Sequence, residues 1–171
     1  MSNCKPDYKR AEWEALRILH NMGYEYPPVN PIKIAESLGI TVKCVGFSDM
    51  DYISGMYDYE KNTIYYNHKD APTRQLFTVA HELGHFTLHK DYIEDDNKYK
   101  LLLRSPHDGD KYELEADAFA ANLMMPKFMI NKFLSVATKE DLASAFCVSL
   151  QAIKKRIGFF SRFTNKYEQW Y

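Results

Sequence analysis

The chain has little cysteine, almost no net charge and no long apolar run, and each shortage excludes a class of protein. Its three cysteines, Cys4, Cys44 and Cys147, are odd in number and widely scattered. That pattern suits neither a disulfide framework nor a paired-cysteine metal site, so all three read as reduced thiols. A formal net charge of -1 over 171 residues provides no global attraction to nucleic acid or to an anionic membrane. No apolar segment is long enough to span a bilayer, and the opening "MSNCKPDYKRAEWEALRILH" lacks the apolar core and cleavage site of a signal peptide. A cytoplasmic location without membrane contact is the expectation. Internal repeats and low-complexity segments are missing as well.

What is present is enough apolar material, 46% of the residues, for one real core. Helical spacing around Trp13, Leu16, Leu19 and Met22 ends at Gly23, and Asn30 followed by Pro31 caps a short helix that Gly39 closes. "ITVKCVGF", "YISGMYDY" and "NTIYYN" are rich in β-branched and aromatic residues, with "EKN" a turn, and predict a small antiparallel sheet. From about Pro72 to His89 the pattern is helical, and the polar stretch from Asp91 to Asp110 reads as a long mobile loop. "KYELEADAFAANLMM" is a helix stopped by Pro126, Thr138 with Asp141 forms a capping box, and Ser149 caps a last helix. The predicted class is α+β and mainly helical, with the small antiparallel sheet preceding the His81 helix. Residues 1–135 form the main domain and 136–171 a C-terminal helical subdomain.

"FTVAHELGHFTLHK" places histidines and a glutamate among Phe77, Val79, Ala80, Leu83, Phe86 and Leu88, a core-facing setting in which unpaired polar groups are expensive. Residues four apart on a helix differ by about 40° around the axis and about 6 Å along it, so His81 and His85 project as neighbours able to grip one ion. Glu82 can reach the remaining coordination position and deprotonate water held there, the H-E-x-x-H arrangement of zinc peptidases. His89 continues the series but stands about 12 Å from His81 along a straight helix, too far to share the ion. The metzincin extension fails too, since Leu88 and Asp91 occupy its glycine and histidine positions.

The third ligand is then a glutamate of the second helix, Glu113 or Glu115, whose directions differ by about 200°. Glu113, Ala116, Asp117, Ala120 and Met124 share a stripe. One of the two carboxylates on it can ligate while the other accepts the spare N–H of a ligating histidine, and Glu115 points away toward solvent. The bland alternative is a charged first turn favoured by the helix dipole.

"TRQLFTVAHELGHFTLH" followed by "ELEADAFAANLMMP" resembles the ImmA/IrrE family of metallopeptidases, with their FTxAHELGH helix and a second helix of the type ExxA[DN]xFAxxLLMP. Weaker likeness in "NPIKIAESLGITV" and "NTIYYN" extends the match to roughly residues 30 to 126. The resemblance implies a zincin-like domain with a Zn2+ cofactor, His81, His85 and Glu113 as its ligands and Glu82 as the catalytic glutamate. Asp117, placed next to the ligand shell, stands where many relatives carry asparagine, and Met125 with Pro126 matches the family's structural "MP". The implied activity is endopeptidase cleavage of a partner helix-turn-helix repressor, as in derepression of phages, mobile elements or a stress response. Many relatives carry an N-terminal DNA-binding domain, for which this chain is too short at its start.

Lys154, Lys155 and Arg156 give the last helices a helix-turn-helix flavour, but without a wider basic surface DNA binding is the weaker reading. A non-proteolytic module that sequesters a repressor is the other rival, and it leaves Glu82 unexplained. Oxyanion donors are open among Tyr57, Tyr65, Tyr66, His89 and His107, and the strands before the motif offer an edge for an extended substrate.

Overall fold

The computed structural model describes residues 5–47, 53–93 and 111–167. Within them the chain runs α1 (Tyr8–Asn21), α2 (Pro31–Ser37), β1 (Thr41–Val45), β2 (Gly55–Asp58), β3 (Thr63–Asn67), α3 (Pro72–Ile93), α4 (Lys111–Met124), α5 (Lys127–Asn131), α6 (Lys139–Ala145) and α7 (Leu150–Tyr167). The α+β expectation holds. The predicted loop from Asp91 begins later, because α3 continues to Ile93 past non-helical dihedrals at His89. Its remainder, 94–110, lies outside the described residues, as do His107 and Cys4.

Local chemistry sets the helix ends. The Asp7 side chain accepts from the Arg10 N–H at 3.0 Å to open α1, and Asn30 accepts from Lys33 N–H at 3.1 Å ahead of Pro31, each satisfying a donor the helix leaves free. Gly23 and Gly39 follow α1 and α2 with φ of 70° and 79°, the left-handed region that glycine enters without a Cβ penalty. Thr138 and Asp141 form the reciprocal capping box of α6, and Ser149 Oγ accepts from Ala152 N–H. The helix expected around Trp13, Leu16, Leu19 and Met22 is present as α1, whose buried residues are Ala11, Ala15, Ile18 and Leu19, while Trp13 is 60% exposed. Two alanines on that face let α1 lie close against α4, which a tryptophan would prevent.

The sheet is mixed, not wholly antiparallel. Its order is β1-β3-β2; β2 pairs with β3 antiparallel as expected, whereas β1 pairs with β3 in parallel, Thr41 opposite Thr63. Asn62, at a φ of 45° that asparagine tolerates, explains the direction. Its carbonyl accepts from Thr41 N–H at 3.0 Å and its side-chain amide donates to the Gly39 carbonyl at 2.9 Å. β1 and β3 therefore start side by side at one corner and run the same way, leaving β2 on the edge that faces α3.

Helices α3 and α4 enclose the core between them. Val79, Ala80 and Leu83 of α3 and Ala116, Phe119, Ala120 and Leu123 of α4 are fully buried, each large side chain contributing about 1.5–3 kcal/mol of hydrophobic stabilisation. Gly84 sets the spacing, since a Cβ there would lie 3.1 Å from Ala116 Cα and from the Phe119 ring. That approach brings side chains of both helices to one point.

Candidate metal centre

His81 and His85 stand one turn apart on α3, ring centroids 4.8 Å apart, with their Nε2 atoms 3.1 Å from each other. Glu113, in the first turn of α4, reaches between them: its carboxylate oxygens lie 3.2 Å from His81 Nε2 and 3.3 Å from His85 Nε2. Asp117, one turn further along α4, holds Oδ1 2.9 Å from His81 Nδ1. A carboxylate only accepts, so His81 Nδ1 carries a proton and Nε2 is the ring atom turned toward the cluster. Two imidazole nitrogens and a carboxylate converging in this way make a group that could hold a metal ion.

The electrostatics favour a cation at that point. Burial works against a charge on His81, but hydrogen bonds to Asp117 and Glu113 and the proximity of Glu82 outweigh it and raise the imidazole to about 10. The hydrogen bonds from His81 and His85 hold the Glu113 carboxyl well below the usual carboxylate range, against its burial. A proton and a metal ion compete for Nε2 of His81, so the carboxylates that favour the proton there favour a metal ion as well.

Glu82 lies beside this cluster against the edge of β2. Burial raises its pKa, opposed by His81, His85 and a hydrogen bond from the Tyr57 backbone N–H. Gly55 makes the approach possible: a Cβ on it would stand 2.3 Å from Thr78 Cγ2 and 3.6 Å from Glu82 Oε1. A glycine inside a strand signals such a close approach, so this support was available in the sequence and unread.

The structure corrects one placement. Glu115 does not point to solvent: its side chain is 12% exposed, its Oε2 lies 2.9 Å from His89 Nε2, and its Oε1 accepts from the Asp7 N–H at 2.7 Å. Helix α4 is flanked by α1 as well as α3, so turning away from the histidine pair leads to another helix. Burial pushes His89 down to about 4 despite Glu115 beside it, and its Nδ1 lies 3.1 Å from His85 Nδ1 on the side remote from Glu113. Of the oxyanion candidates, Tyr57 donates its hydroxyl to Asn62 Oδ1 at 2.8 Å, and Tyr66 pairs across the sheet with Cys44.

Comparison with known proteins agrees with this geometry. Residues 35–158 match the family described as Peptidase_M78, the IrrE N-terminal-like domain. The chain belongs to that family. Its relatives include the uncharacterized immunity region protein 2 of Bacillus phage phi105, 30% identical over 122 residues (70% of this chain, 73% of that one). Metallopeptidase ImmA of Bacillus subtilis is 28% identical over 124 residues, covering 70% of this chain and 71% of that one. The radiation response metalloprotease IrrE of Deinococcus deserti is 36% identical over 104 residues, 57% of this chain but 33% of the longer protein. In fold, a Mycobacterium tuberculosis transcriptional regulator superposes with a TM-score of 0.59 at 15% identity, covering 85% of this chain and 45% of that one. The protein is thus a metallopeptidase by family, with a His-His-Glu group suited to its metal. No helix among the described residues is long and apolar enough to cross a membrane.

Proposed function

We propose that this protein is a zinc endopeptidase in which His81, His85 and Glu113 hold the ion, Glu82 is the general base and Asp117 orients His81. The observation that carries the reading is the convergence of donors from two helices. The two Nε2 atoms are 3.1 Å apart, and the Glu113 carboxylate spans them with Oε2 3.2 Å from His81 Nε2 and Oε1 3.3 Å from His85 Nε2, a spacing compatible with donors that share one ion at bonds of about 2 Å. Three protein ligands leave a fourth position for substrate chemistry, unlike closed structural sites.

Zinc, when bound, supplies a Lewis acid that acidifies water and polarises the scissile carbonyl. The chain's own part is proton transfer. The Glu82 carboxylate takes the proton of the attacking water and returns it to the leaving amine nitrogen, and its burial raises its basicity for that task. The Tyr57 N–H keeps the carboxylate in place from the edge of β2. An extended substrate adds along the same strand, whose other side is already paired with β3.

The substrate proposed is a partner helix-turn-helix repressor, supported by the likeness to the phage immunity-region protein and to ImmA. The test is co-expression with a helix-turn-helix repressor encoded beside this protein, comparing wild type with Glu82→Gln and measuring zinc by mass spectrometry. Cleavage by wild type alone, slowed about 100- to 10,000-fold in the variant with zinc retained in both, is the expected result. A repressor bound but intact in both would replace the protease with a sequestering module.

A further inference from the structure

Behind the proposed metal ligands lies a second polar chain. His85 Nδ1 is 3.1 Å from His89 Nδ1, His89 Nε2 is 2.9 Å from Glu115 Oε2, and Glu115 Oε1 accepts from the Asp7 N–H at 2.7 Å. His89 is 3% exposed, with the Tyr112 ring edge-on at 5.0 Å. The non-helical dihedrals of α3 fall at this residue, φ −121° and ψ 16°, so its ring is not placed where a straight helix would carry it.

The hydrogens follow from donor and acceptor counting. Glu115 is a carboxylate that already accepts from Asp7, so His89 Nε2 carries the proton. His85 turns Nε2 toward His81 and Glu113, so as a ligand it keeps that lone pair and carries its proton on Nδ1, which donates to the Nδ1 of His89.

We propose that His89 is a positioning residue, fixing the tautomer and orientation of His85 and, through Glu115, tying the metal centre to Asp7, the residue that caps α1. The inference rests on the proposed role of His85 as a ligand. The two ligating histidines are thereby held by different means, His81 by an exposed carboxylate and His85 by a buried imidazole. Partners of this kind set ligand basicity as well as direction.

The test compares His89→Leu, which removes the acceptor, with His89→Asn, whose Oδ1 can take the place of ring Nδ1. Affinity for zinc is read by chelator competition, and the ligand field by the visible spectrum of the cobalt(II) form. His89→Leu is expected to weaken zinc about 10- to 100-fold and alter the cobalt spectrum, with Asn recovering most of both. Nitrogen-15 NMR of the wild-type zinc form, independent of whether any variant folds, is expected to show His85 protonated on Nδ1 and His89 on Nε2 only. Unchanged affinity in His89→Leu, or a proton on His89 Nδ1, overturns the proposal. His85→Ala separates the two levels: if it binds zinc like wild type, the ligand assignment itself has failed.

Discussion

Asp117 is the most solvent-accessible member of the cluster, its side chain 59% exposed, yet it holds Oδ1 2.9 Å from His81 Nδ1. Exposure lowers the free energy of that contact, because water competes for both groups, but it does not remove the directional effect on the ring. Asp117→Ala is therefore expected to weaken metal binding about tenfold, the low end of the range for such partners. Asp117→Asn, which keeps an acceptor oxygen, should lose less, and chelator competition measures both. That His81, His85, Glu113 and Asp117 meet was legible from helical spacing together with the family resemblance, because side chains that converge between two packed helices must lie on their facing sides. Glu115 and His89 were not. Periodicity reports a direction around a helix axis, not whether solvent or a third helix lies that way, and a departure from helical dihedrals at one residue leaves no mark in the pattern.

For the elements, identity was legible and mutual arrangement was not. The capping residues Asn30, Thr138 and Ser149 act locally, so their roles read directly from the sequence. Strand direction depends instead on Asn62 reaching Gly39 and Thr41 across the corner, a long-range contact that β propensity does not encode. The same strands carry a sharp constraint at Gly55. Adding a methyl group there places it 2.3 Å from Thr78 Cγ2 and 2.8 Å from the Tyr65 carbonyl, so β2 must move off α3. Gly55→Ala should destabilise the protein by about 1–3 kcal/mol, the usual cost of overpacking, in urea unfolding. It should also lower peptidase activity further than stability alone explains, since the Tyr57 N–H leaves Glu82. Activity unchanged at a temperature where the variant is folded would dissociate β2 from the role proposed for Glu82.

Across the whole molecule, α4 is packed by α3 and α1 along its length and by α7 at its end. The α7 contact is made by Arg156. Its Nε donates to the Met125 carbonyl at 3.0 Å, its guanidinium bonds Asn122 Oδ1, and it stacks 4.6 Å over the Phe160 ring. Burial lowers its pKa to about 10, opposed by Glu12, so it stays charged at neutral pH and is committed to the fold. Of the three cations that gave the last helices their helix-turn-helix flavour, only Lys154 and Lys155 are exposed, which removes Arg156 from any DNA-reading face. Arg156→Met keeps most of the stem but leaves the Met125 carbonyl and the Asn122 oxygen without their charged donor. Leaving buried acceptors unpaired costs about 1–3 kcal/mol, so the urea midpoint should fall accordingly while zinc stoichiometry stays that of wild type. A DNA gel shift that weakened in Arg156→Met, with the urea midpoint unmoved, would reverse this assignment and make the residue part of a nucleic-acid surface. Loss of stability without any change in DNA retention is the expected result for an arginine that fastens α7 to the end of the helix carrying Glu113.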